Sequence, residues 1–400
     1  MVITKFKNNL IKRYSKKDAL QTSIVLIVLF SVYCYLTAFA RSDMPAHADF
    51  AIKMSQGKIT IGNFILYGLI NTLSFCFSFL PSLMSPLVIA KISLVFLLAL
   101  ATTYRFRWTY NHLECSVQWQ RFLLALSLIF VVAIPIPSIF VTRYLYLGNF
   151  TPNVWHNSTT IFLFPFAIML FTISMKQLEG YNSRRNLWLL LFVFLNIFIK
   201  PSYFFVWVCV YPLFLFVKYR LSLKFLKGLI PVVIGMIFLF VEYLWIYYFG
   251  GGAGRESSVI IKPFHAYTFY ASLGMMPLAL LFSLLFPILY FILNLKRLYK
   301  NSVFLFVYVS LFVAIAIFML FMETGVREKN LNFYWQIVIC TWLCFYISLS
   351  DWLKNREQLV QSRNSKVKFL SIYLPIIIYA VHVIAGIAYL GKYIFMGSYR

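Results

Sequence analysis

The feature that most constrains this chain is its run of apolar blocks of about 17 to 25 residues, each long enough to cross a ~30 Å hydrocarbon core as a helix. Helices are required because every backbone polar group in hydrocarbon must find its partner within its own segment. The expected fold is therefore an all-α, polytopic transmembrane helical bundle. Composition agrees: the 400 residues are 62% hydrophobic and only 12% charged, with a mean hydropathy of +0.82. An ordinary soluble domain would carry about 25% charge. At 20% aromatic residues, disorder is excluded as well.

The net charge of +25 does not indicate nucleic acid. Lys and Arg sit in short clusters between apolar blocks, where topology signals and headgroup contacts belong, and the partner they imply is the lipid bilayer. The six Cys show no CxxC spacing and mostly fall inside apolar spans, so neither a disulfide framework nor a zinc site is expected.

Residues 1–19 form a basic segment before an apolar run from Leu20 to Ala40. That run is too long for a signal peptide and no cleavage site follows, so it reads as an uncleaved first span. Further spans are expected at roughly 86–103, 121–141, 158–175, 186–199, 202–218, 228–249, 267–295, 302–322, 333–350 and 370–395. Segment 63–80 is ambiguous because it holds Asn63, Gly68, Asn71 and Ser74.

The positive-inside rule resolves it. If 63–80 does not cross, the cytoplasmic segments hold 24 Lys and Arg against 11 outside. If it crosses, the balance inverts to 14 inside and 21 outside. The expected chain is thus a single membrane domain, 1–400, with about eleven spans, the N-terminus inside and the C-terminus outside. Residues 41–85 form a long first outer loop with interfacial helices, and 86–400 hold the remaining spans.

With that orientation the cytoplasmic loops are plain basic clusters, while the outer loops carry varied chemistry. In RSDMPAHADF, Asp43, His47 and Asp49 follow the first span, and the apolar spacing from Ala46 to Gln56 fits an amphipathic interfacial helix. A carboxylate at the rim of a membrane cavity is suited to act as general base on a hydroxyl. The plainer reading of Asp43 is a cap for a helix beginning at Pro45.

Trp155, His156 and Asn157 offer stacking and hydrogen bonds to a sugar or phosphate; an interfacial aromatic belt is the plainer reading. Neither HxxxH nor a His-plus-acid pattern accompanies them, so no metal is expected. Lys200 precedes Pro201 between two apolar runs, where a broken helix can turn a cation toward a cavity, or toward headgroups. Arg143, Arg255, Arg327 and Lys329 are outer cations on three loops, fit to hold phosphate or headgroups. The glycine run 250–254 lacks the Lys-Ser/Thr of a phosphate loop and reads as a flexible outer loop. Glu242 lies inside a span, where acids default to functional hypotheses, with Lys200 and Arg143 as candidate partners.

The uncleaved first span, the acid-bearing first outer loop (SDMPAHADFAIKMSQGKITIGNFILYGLI) and the many aromatic-rich spans resemble the GT-C superfamily of integral-membrane glycosyltransferases. The resemblance lies in residues 20–160, and the segment Pro152 to Asn157 is similar to a PNxWHN stretch of uncharacterised bacterial members. It implies an inverting transfer of sugar from a polyprenyl-phosphate-linked donor to a cell-surface glycan or glycolipid acceptor. The reaction would run on the outer face of a bacterial cytoplasmic membrane. Asp49 or Asp43 would be the general base, and Arg143, Lys200, Arg327 and Lys329 would hold the departing lipid phosphate. No cofactor is expected, with a divalent cation left open; the family's adjacent acidic pair is not present after the first span. The competing expectations are a polysaccharide polymerase or ligase, and a flippase for lipid-linked oligosaccharide.

Overall fold

The computed structural model describes residues 16–77, 84–135, 148–249, 257–360 and 369–398. Helix α1 (Lys16–Phe39) is followed by two short helices, α2 (Met44–Ser55) and α3 (Phe64–Cys76), and then α4 (Pro86–His112). Next come α5 (Gln118–Phe130), α6 (Ser158–Glu179), α7 (Ser183–Ile199), α8 (Ser202–Tyr219) and α9 (Ile230–Tyr247). The last four are α10 (Met276–Leu293), α11 (Ser302–Leu320), α12 (Trp335–Val360) and α13 (Leu374–Met396). The chain is a multi-pass helical membrane bundle. A two-stranded ribbon joins β1 (Val259–Ile261) to β2 (Phe321–Glu323), antiparallel, with Val259 opposite Glu323.

Among the described residues, nine helices are long and apolar enough to cross a membrane. Two expected spans fall short of that length: α7 has 17 residues and α5 has 13. The expected continuous span 121–141 is corrected here, because its helix stops at Phe130. Residues 131–135 are non-helical and buy their backbone partners from neighbours. Val132 N–H donates to His382 O (3.3 Å), and Ile134 N–H donates to Phe282 O (3.1 Å). That carbonyl is available because α10 is kinked at Leu284 (φ −119°, ψ 15°), just before Pro287. A proline inside a helix removes one donor and clashes with the carbonyl four residues back. Non-helical backbone at membrane depth is tolerated when protein surrounds it in this way. Gly386 of α13 permits the crossing, since a Cβ there would lie 1.5 Å from Phe130 O.

Helix α3 spans 13 residues, about 20 Å at 1.5 Å per residue, too short to cross. It packs with α2 against α4. Met44, Ala48 and Ala51 line the buried face of α2, and Asn71 Nδ2 of α3 donates to Ala51 O (2.9 Å). Prolines open α2, α4, α9, α10 and α13, where the missing N–H costs nothing.

Ion pairs and hydrogen bonds fix the helix directions. Arg107 near the end of α4 meets Asp18 at the start of α1 (3.2 Å), so the two run antiparallel. Tyr219 at the end of α8 donates to Gln177 O near the end of α6 (2.7 Å). At the other end, Arg41 N–H donates to Gly397 O (2.8 Å), and Tyr393 donates to Arg41 O (2.7 Å), which brings the C-terminal end of α13 to the start of the first loop. That end of the bundle holds the site.

Candidate functional site

A cavity of about 1470 Å³ opens at this end, beneath α2 and α3 and between the ends of α6 to α9, α11 and α12. Asp43, His47, Lys200, Glu242, Arg327 and Lys329 all border it. Residues from four separate stretches of sequence thus face one space.

Asp43 does not cap its own helix; its side chain makes no cap bond to α2. It reaches instead to the N-terminus of α6, where Ser158 N–H (3.0 Å) and Ser158 Oγ (2.7 Å) both donate to Oδ1. The free N–H groups and positive dipole end of a helix favour a carboxylate there. His47, one turn along α2, places Nε2 at 3.2 Å from Oδ2, and its Nδ1 lies 2.7 Å from the Tyr67 hydroxyl of α3. Burial alone would raise the Asp43 pKa, but His47 and the two Ser158 donors outweigh it and hold the carboxyl below its ordinary value. Burial beside that carboxylate pushes the Tyr67 hydroxyl well up, so it stays a neutral donor.

Lys200 sits where the sequence predicted a break. The residue before a proline is driven out of the helical region, and Lys200 is extended (φ −172°, ψ 116°) between α7 and α8. Its ammonium donates to Asn157 Oδ1 and Thr159 Oγ1, both at 2.9 Å, and lies 4.6 Å from the centre of the Trp335 ring. Burial drives its pKa down to about 7, against the pull of Asp43. Asn157 also caps α6 by accepting from Thr160 N–H (3.0 Å), so one oxygen fixes both the helix and the cation. His156 is buried on the cavity wall, edge-on to Trp335 at 6.0 Å between ring centres.

Glu323, in β2, accepts from Arg327 Nε (2.8 Å), from the Tyr247 hydroxyl and from Asn332 Nδ2. Arg327 thereby borders the cavity with one edge already held. Glu242 of α9 is 2% exposed, and Asn63 Nδ2 donates to it. Among the described residues its hydrogen-bond partner is therefore Asn63 and not the expected Lys200, while Arg143, the other expected partner, lies outside them.

Two expected site residues lie elsewhere. Asp49 is 43% exposed, pairs with Lys53 (2.7 Å) and does not border the cavity. Two residues past His47 is about 200° around a helix, so an α2 that turns Asp43 and His47 inward turns Asp49 away. Trp155 is also off the cavity: it is 2% exposed and packs between Tyr33 (5.8 Å) and Phe130 (5.9 Å) in the core. Arg143, Arg255 and the glycine run 250–254 lie outside the described residues.

Sequence reasoning missed Tyr67, Ser158, Asn63, Thr159 and Trp335, each recruited by distance in space rather than by spacing. Only Ser158 carried a signal, as a hydroxyl beside the predicted start of α6. No group of three or more His, Cys, Asp or Glu among the described residues could hold a metal ion. Neither the comparison with protein-family models nor that with curated proteins gives a match for this chain.

Proposed function

We propose that this chain is a membrane glycosyltransferase of GT-C type, moving a sugar from a polyprenyl-phosphate-linked donor to a glycan or glycolipid hydroxyl. In this reading the cavity faces the exterior of a bacterial cytoplasmic membrane and the product enters the cell surface. One observation carries it: an acid of the first loop, Asp43, and the cations Lys200, Arg327 and Lys329 border a single cavity large enough for a sugar phosphate.

The reaction needs a base for the acceptor hydroxyl and positive charge for the departing phosphate. Asp43, with the imidazole it holds, is the general-base centre in this reading, and Asp49 is not. Lys200 acts on the phosphate as a compact point charge, already desolvated and aimed. The wall formed by Val208, Met236, Leu239 and Phe240 of α8 and α9 is apolar, which suits a lipid chain beside the charged centre. His156, Asn63 and Glu242 supply donors and acceptors for sugar hydroxyls.

The test is turnover of the purified full chain with a panel of undecaprenyl-phosphate sugars and membrane extract as acceptor source. Release of free lipid phosphate by the wild type, abolished in a folded Asp43→Asn protein, is the expected result. If no donor is consumed while labelled lipid-linked sugar crosses proteoliposomes containing the chain, the protein is a transporter and this reading is wrong.

A further inference from the structure

The proposed reading gives the acceptor proton to the Asp43 centre as a whole; the hydrogen bonds inside that centre specify a path. We propose that His47 takes the proton, relayed through the Tyr67 hydroxyl, while Asp43 acts as the positioning residue that fixes the imidazole. The substrates of this step rest on the glycosyltransferase reading; the hydrogen-bond path within the protein does not.

The chemistry of the donors decides the direction. An ionised carboxylate can only accept, so the Nε2 that meets Asp43 Oδ2 at 3.2 Å carries the ring hydrogen. In the neutral ring Nδ1 is then bare, and at 2.7 Å it must accept from the Tyr67 hydroxyl. Tyr67 has given its hydrogen away and keeps lone pairs on an oxygen at the cavity border. Asp43 Oδ1 is occupied by two Ser158 donors and Oδ2 by His47, so the carboxylate has little capacity left for a substrate proton. Its lowered pKa makes it a weak base but a good partner for an imidazolium. The Phe50 ring, edge-on to His47 at 6.0 Å, holds the ring orientation.

The step balances. The acceptor O–H gives its proton to the Tyr67 oxygen as the Tyr67 proton moves to His47 Nδ1. The acceptor oxygen bonds to the anomeric carbon, and the bond from that carbon to the phosphate oxygen breaks, its electron pair leaving with the phosphate. The imidazolium lies against the Asp43 carboxylate. Around His47 the titratable and charged neighbours are Asp43 on its own helix and Tyr67 on α3. Lys200, between α7 and α8, acts on Asp43, and Arg327, after β2, acts on Tyr67.

Three variants of the full chain and one spectrum test this. With an undecaprenyl-phosphate sugar that the wild type turns over, His47→Gln should lower kcat by about 10²-fold or more, with donor KM changed little. Tyr67→Phe should lower kcat by roughly 10-fold or more, as a proton path loses its middle link. Near-wild-type turnover in folded His47→Gln overturns the proposal.

The ¹⁵N spectrum of the five histidines gives an answer independent of turnover, with His47 assigned by its absence in His47→Gln. A neutral His47 protonated on Nε2, with that preference lost in Asp43→Asn, supports the path; a hydrogen on Nδ1 overturns it. Should the wild type consume no donor, the glycosyltransferase reading fails while the spectrum still decides the hydrogen-bond path.

Discussion

The two ends of this bundle use the same residue types to opposite effect. At the end away from the cavity, Asp351 of α12 is fully buried. It accepts Arg297 Nη1 (2.8 Å), Arg297 Nη2 and the Tyr290 hydroxyl (2.6 Å). Trp335 borders the cavity sixteen residues earlier on the same helix, so this cluster lies about 24 Å away. Arg297 also donates to Tyr290 (3.2 Å) and Asn294 (3.4 Å). Burial works against the Arg297 charge, but Asp351 more than restores it, and the guanidinium pKa is raised. The cluster closes on itself, joining α10 to α12, and a fork-to-fork pair of this kind is a structural clasp.

At the cavity end Asp43 is held by Ser158 and His47 yet borders an open volume. Asp43, His47 and Lys200 have protein partners behind them and open space in front. The lesson is that a buried charge identifies a candidate site only when it, or the group it holds, borders a volume a ligand could fill. Asp351 is more deeply buried than Asp43, and it does not border this cavity.

The contrast can be broken by mutation at each end. The largest expected effect is that of Asp43→Asn, which should lower turnover by about 10²- to 10⁴-fold while the melting temperature in detergent changes little, because Ser158 can still donate to the amide oxygen. A large loss of Tm with proportional turnover per folded molecule would make Asp43 another clasp. Asp351→Asn should do the reverse, costing about 1–2 kcal/mol of stability, because the Arg297 left without its counter-charge is 41% exposed and water screens it. Unchanged thermal unfolding would show that the far cluster holds nothing together.

Lys200→Met should come next, weakening donor binding by roughly 10-fold or more as one charge-assisted contact of about 1.5–3 kcal/mol is removed. The same residue sets a pH signature. Lys200 is charged below about 7 and neutral above it, so donor KM should rise as pH passes from 6 to 8. Its effect on stability has the opposite sign: between about 7 and its unfolded value of 10.5 the unfolded chain binds the extra proton, and folding is favoured as pH rises. Lys200→Arg should remove the KM rise; a rise that persists would place the titration elsewhere. The smallest effect belongs to Asp49→Asn. Its half-exposed pair with Lys53 is worth ~0–1 kcal/mol, so turnover and Tm should both stay near wild type. Loss of turnover there would return the base to Asp49 and sink the assignment of Asp43.

Much of this architecture is legible in the sequence, because a bilayer leaves a chain few choices. Apolar length alone announces α1, α4, α6, α8, α11 and α12, and Pro201 announces the break that frees Lys200. The polar residues within 63–80 leave its crossing ambiguous, the balance of Lys and Arg favours a segment that does not cross, and α3 within it is 13 residues long. Other features depend on contacts that no local pattern carries. Helix α5 stops at Phe130 although the apolar run continues, because α10 and α13 offer its chain backbone partners and Gly386 leaves it room.

The site divides in the same way. Residue type and order determined that acids and cations would gather in the loops at one end, because charged groups are driven out of hydrocarbon. Which acid matters, and what it touches, was decided only by tertiary structure. The rotation of α2 turns Asp43 and His47 inward and Asp49 outward; the N-terminus of α6 supplies Ser158; α3 brings Tyr67. Hydrophobic length is a property of a single segment and can be read along the chain. The rotation of one helix against its neighbours comes from packing among them, and no stretch of sequence contains it.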